Sequence, residues 1–361
     1  MRRKTEAGGG LVLRAGAFAA AVLCMLCMVR ILRADAMNAL DAWDAIDVQT
    51  TAASEDAETP DAPATGESPP PETTETGQTA VSVQTAATGQ SASTAQTEQP
   101  SEPVSTTLPA APARDTEALA AAFAEIPVAN DAGVSFDPAK LASMVPAFTV
   151  GTEPLVLIMH THGSESYSGS ADDGETGRSQ DITKNVVQVG RVLCETLGEA
   201  GIPALHDETM YDVPSYTASY NRAFDGITAA LEAHPSIRIV IDVHRDAYSY
   251  PDGSILATSG QYGGERTARL MFLVGTDAGT LSHPEWRSHL AFAMALQTRL
   301  EALAPGIARP VNLRRQRFNE HLTPGSLLLE VGASGDTLEE AERAVRVFGR
   351  ALAQELGAEI A

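Results

Sequence analysis

Downstream of residue 154, the sequence alternates between short apolar runs and longer segments in which apolar residues recur at helical spacing. Four runs are apolar enough for strands that are buried on both faces, and they cover residues 155–159, 237–243, 269–274 and 327–331. The segments between and after them predict helices over residues 181–200, 220–234, 286–303 and 338–356. Because strands alternate with helices, the predicted fold class is α/β, with a mainly parallel sheet and helices on both faces. The sequence thus predicts one domain over residues 154–361.

The segment that precedes this domain has a different composition. Residues 35–113 consist mostly of Thr, Ala, Ser, Glu, Gln and Pro, with few large apolar side chains. Such a segment cannot bury enough surface to offset its loss of conformational entropy, so we expect a disordered acidic linker. Residues 114–153 carry helix signals near Thr116 and Phe136, and we expect them to form a short helical lead-in.

The first 34 residues have the features of a membrane anchor. Six basic residues accompany a single acid, and residues 15–29 are wholly apolar. This apolar core is shorter than the ~20 residues that span a bilayer, but arginines at both ends extend it by snorkelling. By the positive-inside rule, we expect a single-pass signal anchor in the cell membrane, with the rest of the chain extracytoplasmic. The alternative is a cleaved signal peptide, with Ala34-Asp35-Ala36 as the cleavage site.

The acidic balance of the chain excludes one large class of function. The 361 residues include 47 Asp and Glu against 25 Lys and Arg, for a net charge of −22. A protein that binds nucleic acid without sequence preference needs a basic surface, so we expect no nucleic-acid partner. Residues 35–150 carry a net charge of −16 and residues 151–361 carry −11, so much of the acidity lies outside the α/β domain.

Polar residues with metal-binding or acid–base chemistry follow three of the four predicted strands. HTHGSESY (160–167) follows the first strand, DVHRDA (242–247) ends the second, and LLLEVG (327–332) ends the last. Ligands of open α/β sheets bind beyond the carboxyl ends of the strands, so we expect these segments to meet at one edge. Two imidazoles and a carboxylate are typical ligands of a catalytic zinc ion, with a further carboxylate as the base.

The spacing within these segments predicts individual roles. His162 and Glu165 stand three residues apart, which lets both side chains reach one ion from a turn after a strand. His244, from a neighbouring strand, is the expected third metal ligand. Glu330 follows a run of leucines, where an unpaired carboxylate is costly to bury. That position fits a general base whose pKa is raised by its apolar setting.

Two of these assignments have alternatives at the level of sequence. His160 could replace His162 as the ligand, although the alternation of side chains along a strand would turn it into the packing layer of the sheet. Glu330 could instead form an ion pair with Arg245 or Arg317.

Six strings in the domain occur in one order and together closely resemble the stage II sporulation protein P family of cell-wall hydrolases. They are HTHGSESY, NVVQVGRVL, HDETMYDVPSYTASY, DVHRDA, RFNEHL and LLLEVGASGDTLEEA, and the resemblance covers residues 154–356. An N-terminal anchor and a variable linker also fit this family. The resemblance implies a zinc-dependent N-acetylmuramoyl-L-alanine amidase with a phosphorylase/hydrolase-like fold. It also implies endopeptidase action on peptide cross-links.

The resemblance further implies a setting and partners. The family thins septal peptidoglycan while the forespore is engulfed, alongside stage II sporulation proteins D and M. By motif, His162, His244 and Glu330 match the active-site positions of the family. The remaining metal ligand is Glu165 by local spacing, whereas related zinc amidases use a carboxylate near the start of the first helix, which here is Asp181.

Other residues are expected to bind substrate or to support the site. We expect Arg245 and Asn319 to contact carboxylates or amides of a muropeptide; as an alternative, Arg245 pairs with Asp242 or Asp246. Asp336 stands where the family pattern has Asn, and we expect it to cap the closing helix. Two further functions stay open: a zinc carboxypeptidase-like peptidase on the same fold, and a wall-binding module without catalysis.

Overall fold

The computed structural model describes residues 114–172 and 177–358. The strands are β1 (Val128–Asn130), β2 (Val156–Met159), β3 (Ala204–His206), β4 (Ile239–Asp246), β5 (Gly260–Tyr262), β6 (Glu265–Thr267), β7 (Leu270–Gly275), β8 (Val311–Arg314) and β9 (Leu327–Ala333). The helices are α1 (Thr116–Glu125), α2 (Pro138–Ala142), α3 (Val186–Glu199), α4 (Ser219–Ala233), α5 (Trp286–Leu303) and α6 (Leu338–Glu355), with a single 3₁₀ turn at Glu320–Leu322.

Seven of these strands form one sheet in the order β1-β8-β7-β9-β4-β2-β3, and β5 and β6 form a separate antiparallel pair. Every neighbouring pair in the large sheet is parallel except β7 and β9, which are antiparallel. The strands β9, β4, β2 and β3 therefore all end at one edge of the sheet, and β7, β8 and β1 end at the opposite edge. This confirms the predicted α/β class with a mainly parallel sheet.

Helices cover both faces of the sheet, as the apolar runs predict. Alternate residues of β2 face different cores: Val156 and Ile158 belong to the large core, whereas Leu157 and Met159 pack in a second cluster with Ile227 of α4. The large core also contains buried residues of α3, α5 and α6. A strand that is apolar on both sides is thus explained by packing on both sides.

The sequence pattern located the long elements better than the short ones. The four predicted strands and four predicted helices are present, and α5 has the predicted bounds. Five strands, β1, β3, β5, β6 and β8, were not predicted; each has only three or four residues. The lead-in 114–153 contains α1 and α2 as expected, and it also supplies β1, which pairs with β8 at the edge of the sheet.

The expectation that Asp336 caps the last helix is wrong. Thr337 is the N-cap of α6, and its side chain and that of Glu340 form a reciprocal capping box. The Asp336 side chain turns inward, where Oδ2 accepts hydrogen bonds from the backbone and hydroxyl of Thr258 and from the backbone of Ala333. Asp336 therefore fastens the end of β9 to the segment before β5.

The predicted anchor (1–34) and linker (35–113) lie outside the described residues. In the part of the chain that is described, none of the helices combines the length and hydrophobicity that a bilayer crossing requires.

Candidate metal centre at the carboxyl edge of the sheet

A tight turn after β2 brings the first two candidate ligands together. The backbone N–H of Glu165 donates to the carbonyl of His162 at 3.0 Å, so both side chains leave the same turn. Between them, a Cβ at Gly163 would lie 2.9 Å from the Cα of Met210 and 2.7 Å from its Cγ. A side chain at this position would push the turn away from Met210, which explains the glycine.

Two neighbouring parallel strands supply His244 and Glu330. In the register of β4 and β9, His244 is paired with Glu330, and a bulge follows between His244 and Asp246. Paired residues on adjacent strands point to the same face of the sheet, so both side chains lie over the same face at its carboxyl edge. Both residues are buried, with 3% of His244 and 7% of Glu330 exposed.

The structure brings His162, Glu165 and His244 into one buried cluster, as their spacing predicts. One donor atom from each residue lies within 4.8 Å of the others. Both imidazoles turn their Nδ1 atoms toward the carboxylate of Glu165: Nδ1 of His162 is 3.5 Å from Oε1, and Nδ1 of His244 is 3.3 Å from Oε2. The arrangement can hold a cation, and the role of these residues as ligands stays a prediction.

The outer nitrogen of each imidazole also has a neighbour. Nε2 of His162 lies 3.1 Å from the hydroxyl of Ser219, the first residue of α4. Nε2 of His244 lies 3.0 Å from Oδ1 of Asp242, in an oblique ion-pair contact rather than an aligned hydrogen bond. Contacts of this kind hold a ring in the tautomer that leaves the inner nitrogen free for a metal.

Charges within the cluster shift the pKa values of its members in opposite directions. Burial opposes ionisation of Glu165, but the charge of His244 and hydrogen bonds from both histidines outweigh it and hold the pKa of Glu165 well below its usual range. Burial also opposes protonation of His244, but the carboxylates of Asp242 and Glu165 raise its pKa well above the usual value. Without a bound cation, His244 is therefore protonated and lies between the carboxylates of Glu165 and Asp242.

Glu330 differs from the other carboxylates of the site. Burial is the main cause that raises its pKa to about 8, with the charges of Asp246 and Glu165 acting in the same direction and His244 opposing them. Its Oε2 atom is buried and has no hydrogen-bond partner within the protein. An orphaned, buried carboxylate oxygen beside a candidate metal site is the feature expected of an acid–base group.

Two tyrosines line the centre. The ring of Tyr220 stands edge-on to His162, with centroids 5.4 Å apart, and parallel to His244 at 6.5 Å. The ring of Tyr216 stacks on the imidazole of His162 at 4.3 Å and is half exposed. One face of the cluster is therefore closed by Tyr220, whereas Tyr216 stands at its mouth.

The alternative ligands lie elsewhere. Asp181 is exposed in a turn before α3, where its Oδ1 accepts from the backbone and hydroxyl of Thr183. His160 is fully buried; its Nδ1 lies 3.1 Å from the carbonyl of Val243, and its Nε2 lies 2.9 Å from Nε2 of His206. Neither residue belongs to the cluster, and His160 occupies the packing layer that strand alternation predicts.

The two expected substrate contacts are already engaged by the protein. Arg245 is buried, and its guanidinium donates to the carbonyls of Ser166 at 2.8 Å and Gly177 at 2.7 Å. Asn319, which has a positive φ of 59°, donates from its side chain to the carbonyl of Tyr220 at 2.9 Å. These hydrogen bonds tie Arg245 and Asn319 to the backbone around the site. The role of the two residues in substrate binding stays a prediction.

Several residues of the centre were missed by reasoning from sequence. They are Arg178, Asp212, Tyr216, Ser219 and Asp242. Ser219 and Asp212 reach the site from segments far along the chain, and no local spacing signals this. Asp242 had a signal, because it stands two residues before His244 on one strand and therefore on the same face.

The fold and the cluster define an α/β protein with a buried centre of two histidines and one glutamate at the carboxyl edge of a mainly parallel sheet. The sequence matches the family described as Stage II sporulation protein P (SpoIIP) over residues 42–353. This match covers most of the chain, and the chain belongs to that family.

Among known proteins, Stage II sporulation protein P of Bacillus subtilis (strain 168) is 29% identical over 216 residues, which are 55% of this chain and 50% of the relative. The chain thus spans about half the length of that relative.

Solved structures of amidases show a distant likeness. N-acetylmuramoyl-L-alanine amidase AmiC2 of Nostoc punctiforme is 14% identical, with a TM-score of 0.35 and coverage of 57% of this chain and 96% of that chain. The CwlD amidase of Clostridioides difficile, in complex with the GerS lipoprotein, is 12% identical, with a TM-score of 0.35 and coverage of 56% and 96%. The α/β class is shown by the mainly parallel seven-stranded sheet itself.

Proposed function

We propose that this chain is a zinc-dependent peptidoglycan hydrolase that cleaves the amide bond between N-acetylmuramic acid and the L-alanine of the stem peptide. The observation that carries the proposal is the pairing of a buried His–Glu–His cluster with Glu330, a buried carboxylate with an unpartnered oxygen. Membership of the stage II sporulation protein P family supports this reading of the site.

The donor set fits zinc. Zinc prefers imidazole nitrogens and carboxylate oxygens, and catalytic sites use three protein ligands and leave one position open. His162, Glu165 and His244 would hold the ion, since their inner donor atoms converge and their outer atoms contact Ser219 and Asp242. A bound zinc ion would polarise the amide carbonyl and lower the pKa of the attacking water.

Glu330 is the residue that moves the proton. As a carboxylate, it accepts a proton from the attacking water, and it then delivers that proton to the leaving amine nitrogen. With no cation present, burial raises the pKa of Glu330 to about 8. A divalent cation nearby favours the carboxylate form and lowers this pKa toward neutrality, where a group can both accept and donate a proton.

The surrounding residues fix the geometry and limit access of water. Ser219 and Asp242 hold the two imidazoles, while Tyr220, fully protonated because burial raises its pKa well above the usual value, closes one wall. Arg245 and Asn319 brace the walls of the cleft, and they are also our proposed contacts to the muropeptide.

The finer biological role is part of the same proposal. We expect action on septal peptidoglycan during engulfment of the forespore, with endopeptidase action on cross-links, and with stage II sporulation proteins D and M as partners. We also expect the catalytic domain to be held on the extracytoplasmic side of the cell membrane by the N-terminal segment.

The test is digestion of purified peptidoglycan by the full chain before and after removal of zinc with a chelator. We expect release of stem peptides, its loss on chelation, and its return when zinc is restored. Glu330→Gln should bind zinc as the unaltered protein does and yet release no peptides. Release that persists in the fully chelated protein would reject the metal-dependent reaction.

A further inference from the structure

Arg178 stands beside the candidate metal centre although it belongs to none of the motifs that define it. Residues Glu165 and Arg178 form an isolated antiparallel bridge, and the next backbone hydrogen bond runs from Ser179 to the carbonyl of Ser164 at 2.8 Å. Residues directly opposite in such a bridge point to the same face and lie close enough for their side chains to interact. Nη2 of Arg178 is 3.9 Å from Oε1 of Glu165.

The side chain of Arg178 is held in one orientation by a buried carboxylate. Its Nη1 atom donates to Oδ2 of Asp212 at 2.6 Å and to the hydroxyl of Ser164 at 2.9 Å. The Asp212 side chain is only 1% exposed, and it also accepts from the hydroxyl and backbone of Ser164. Because one side of the guanidinium is fixed, a ligand that binds to its other side causes little further loss of rotamer entropy in Arg178.

The other side of this guanidinium carries Nη2, which lies beside Glu165 of the centre. The Arg178 side chain is 31% exposed. Its guanidinium carbon lies 5.0 Å from the centroid of the Tyr216 ring, which itself stacks on His162. The Tyr216 ring therefore lies between His162 and the Arg178 guanidinium, at the partly exposed edge of the buried cluster.

Arg245, the arginine that the sequence singled out, is placed differently. Its side chain is buried, and two of its nitrogens are already engaged with backbone carbonyls. The Arg178 guanidinium is fixed, partly exposed and adjacent to Glu165 of the centre, so it is better suited to bind an anion that arrives with the substrate. Planar guanidinium groups bind carboxylates with well-defined geometry.

We propose that Arg178 binds a free carboxylate of the stem peptide close to the amide bond that is cleaved, and thereby selects carboxylate-bearing stem peptides over amidated ones. This inference rests on the proposed function, because it assumes a muropeptide substrate at the centre.

The experiment compares two muramoyl peptides that differ only at the α-carboxyl group of D-glutamate, which is free in one and amidated in the other. Their kcat/KM values are measured with the zinc-loaded full chain, and their affinities are measured by calorimetry with the Glu330→Gln variant. We expect a preference of about tenfold for the free carboxylate, the size of one partly exposed charge-assisted hydrogen bond. Arg178→Gln should abolish most of this preference in both measurements, and Arg178→Lys should keep part of it.

Arg343→Gln is the matched control. The Arg343 side chain is 33% exposed and lies 3.8 Å from Glu265, but it belongs to α6 on the other face of the sheet. This variant should show the preference of the unaltered protein. Thermal unfolding of each variant checks that the comparison is made between folded proteins.

Two results would overturn the role of Arg178: no preference in the unaltered protein, or an equal loss on both peptides in Arg178→Gln. The second would mean that Arg178 only anchors its loop to Asp212. Failure of the proposed function is a separate outcome. Binding with an Arg178-dependent preference but no cleavage would reject the amidase activity and keep the role of Arg178. Cleavage without any preference would keep the amidase activity and reject the role of Arg178.

Discussion

His244 and Glu330 are paired residues on the adjacent parallel strands β4 and β9, and their side chains lie over the same face of the sheet. The charge of His244 lowers the pKa of Glu330, but burial prevails and the pKa is about 8. One strand thus supplies a candidate metal ligand and its neighbour supplies the proton carrier. The register of the sheet, rather than a flexible loop, sets the distance between them.

The choice between Glu165 and Asp181 as the carboxylate ligand can be tested directly. Glu165→Ala should reduce zinc affinity by more than the roughly 100-fold that loss of an outer contact costs, because it removes a donor from the cluster. Asp181→Ala should retain the zinc content of the unaltered protein, since Asp181 is exposed and bonded to Thr183. Metal analysis after dialysis against a competing chelator measures both. The opposite pattern would assign the ligand role to Asp181, in the turn before α3.

Asp242 should support the metal centre without binding the ion. Asp242→Asn is expected to lower zinc affinity about 10- to 100-fold, because the contact at 3.0 Å that orients His244 loses its charge. The exposed Asp225 of α4 provides the control, and Asp225→Asn should leave the affinity unchanged. Competition with a chromogenic chelator gives the affinities. Equal affinities in the two variants would remove Asp242 from the site.

Two glycine substitutions should have opposite effects on stability. Gly163→Ala places a Cβ within 3 Å of Met210 and should lower the free energy of unfolding by about 1–3 kcal/mol, with loss of zinc affinity as the turn shifts. A Cβ at Gly198 in α3 meets nothing within 4 Å. Gly198→Ala should therefore raise the free energy of unfolding by up to about 1 kcal/mol, since alanine favours the helix. Denaturant unfolding measures both. Gly163→Ala with unaltered stability would contradict the close approach to Met210.

Stability should fall in mild acid because of a histidine far from the metal centre. His283 is fully buried, with Nε2 3.1 Å from Nδ1 of His289. Burial, and then the charges of His289, His321 and Arg317, lower the pKa of His283 to about 3. The unfolded chain, with a pKa near 6.5, therefore binds the proton first. The contribution of neutral His283 to the free energy of unfolding is complete above about pH 6.5. It is lost as the pH falls toward 3, at up to about 1.4 kcal/mol per pH unit for one group.

Substitution of His283 should reduce this acid sensitivity. The free energy of unfolding of His283→Gln is expected to change less steeply between pH 6.5 and pH 4 than that of the unaltered protein. His234→Gln, at the partly exposed end of α4, serves as the control and should keep the original slope. Equal slopes for all three proteins would mean that the folded and unfolded chains bind the His283 proton equally in this pH range.

The parts of the fold that sequence could predict are those with long, regular patterns. Residues 155–159 are apolar on both sides because both faces of β2 are packed, and α5 carries a helical pattern over its whole length. His162, His244 and Glu330 could be placed at one edge because each follows or ends such a strand. The strands β1, β3 and β8 are too short to have a recognisable period.

The rest of the site depends on contacts between distant segments. Arg178 is set beside Glu165 by an isolated bridge, and Ser219 reaches His162 from the start of α4. Asp336 illustrates the same point, because it has the residue type and position of a helix cap but is drawn inward by Thr258 and Ala333. Local sequence cannot reveal such choices, since the competing partner lies elsewhere in the chain.

Mass spectrometry of the products that the zinc-loaded full chain releases from peptidoglycan identifies the bond that is cut. We expect stem peptides with a new free amine on L-alanine, together with glycan whose lactyl carboxyl group is free. Neither product should appear with Glu330→Gln, whereas Glu339→Gln, at an exposed glutamate of α6, should yield both. The proposed amidase reaction would be refuted by intact bonds between muramic acid and L-alanine after digestion with the zinc-loaded protein, or by unaltered release with Glu330→Gln.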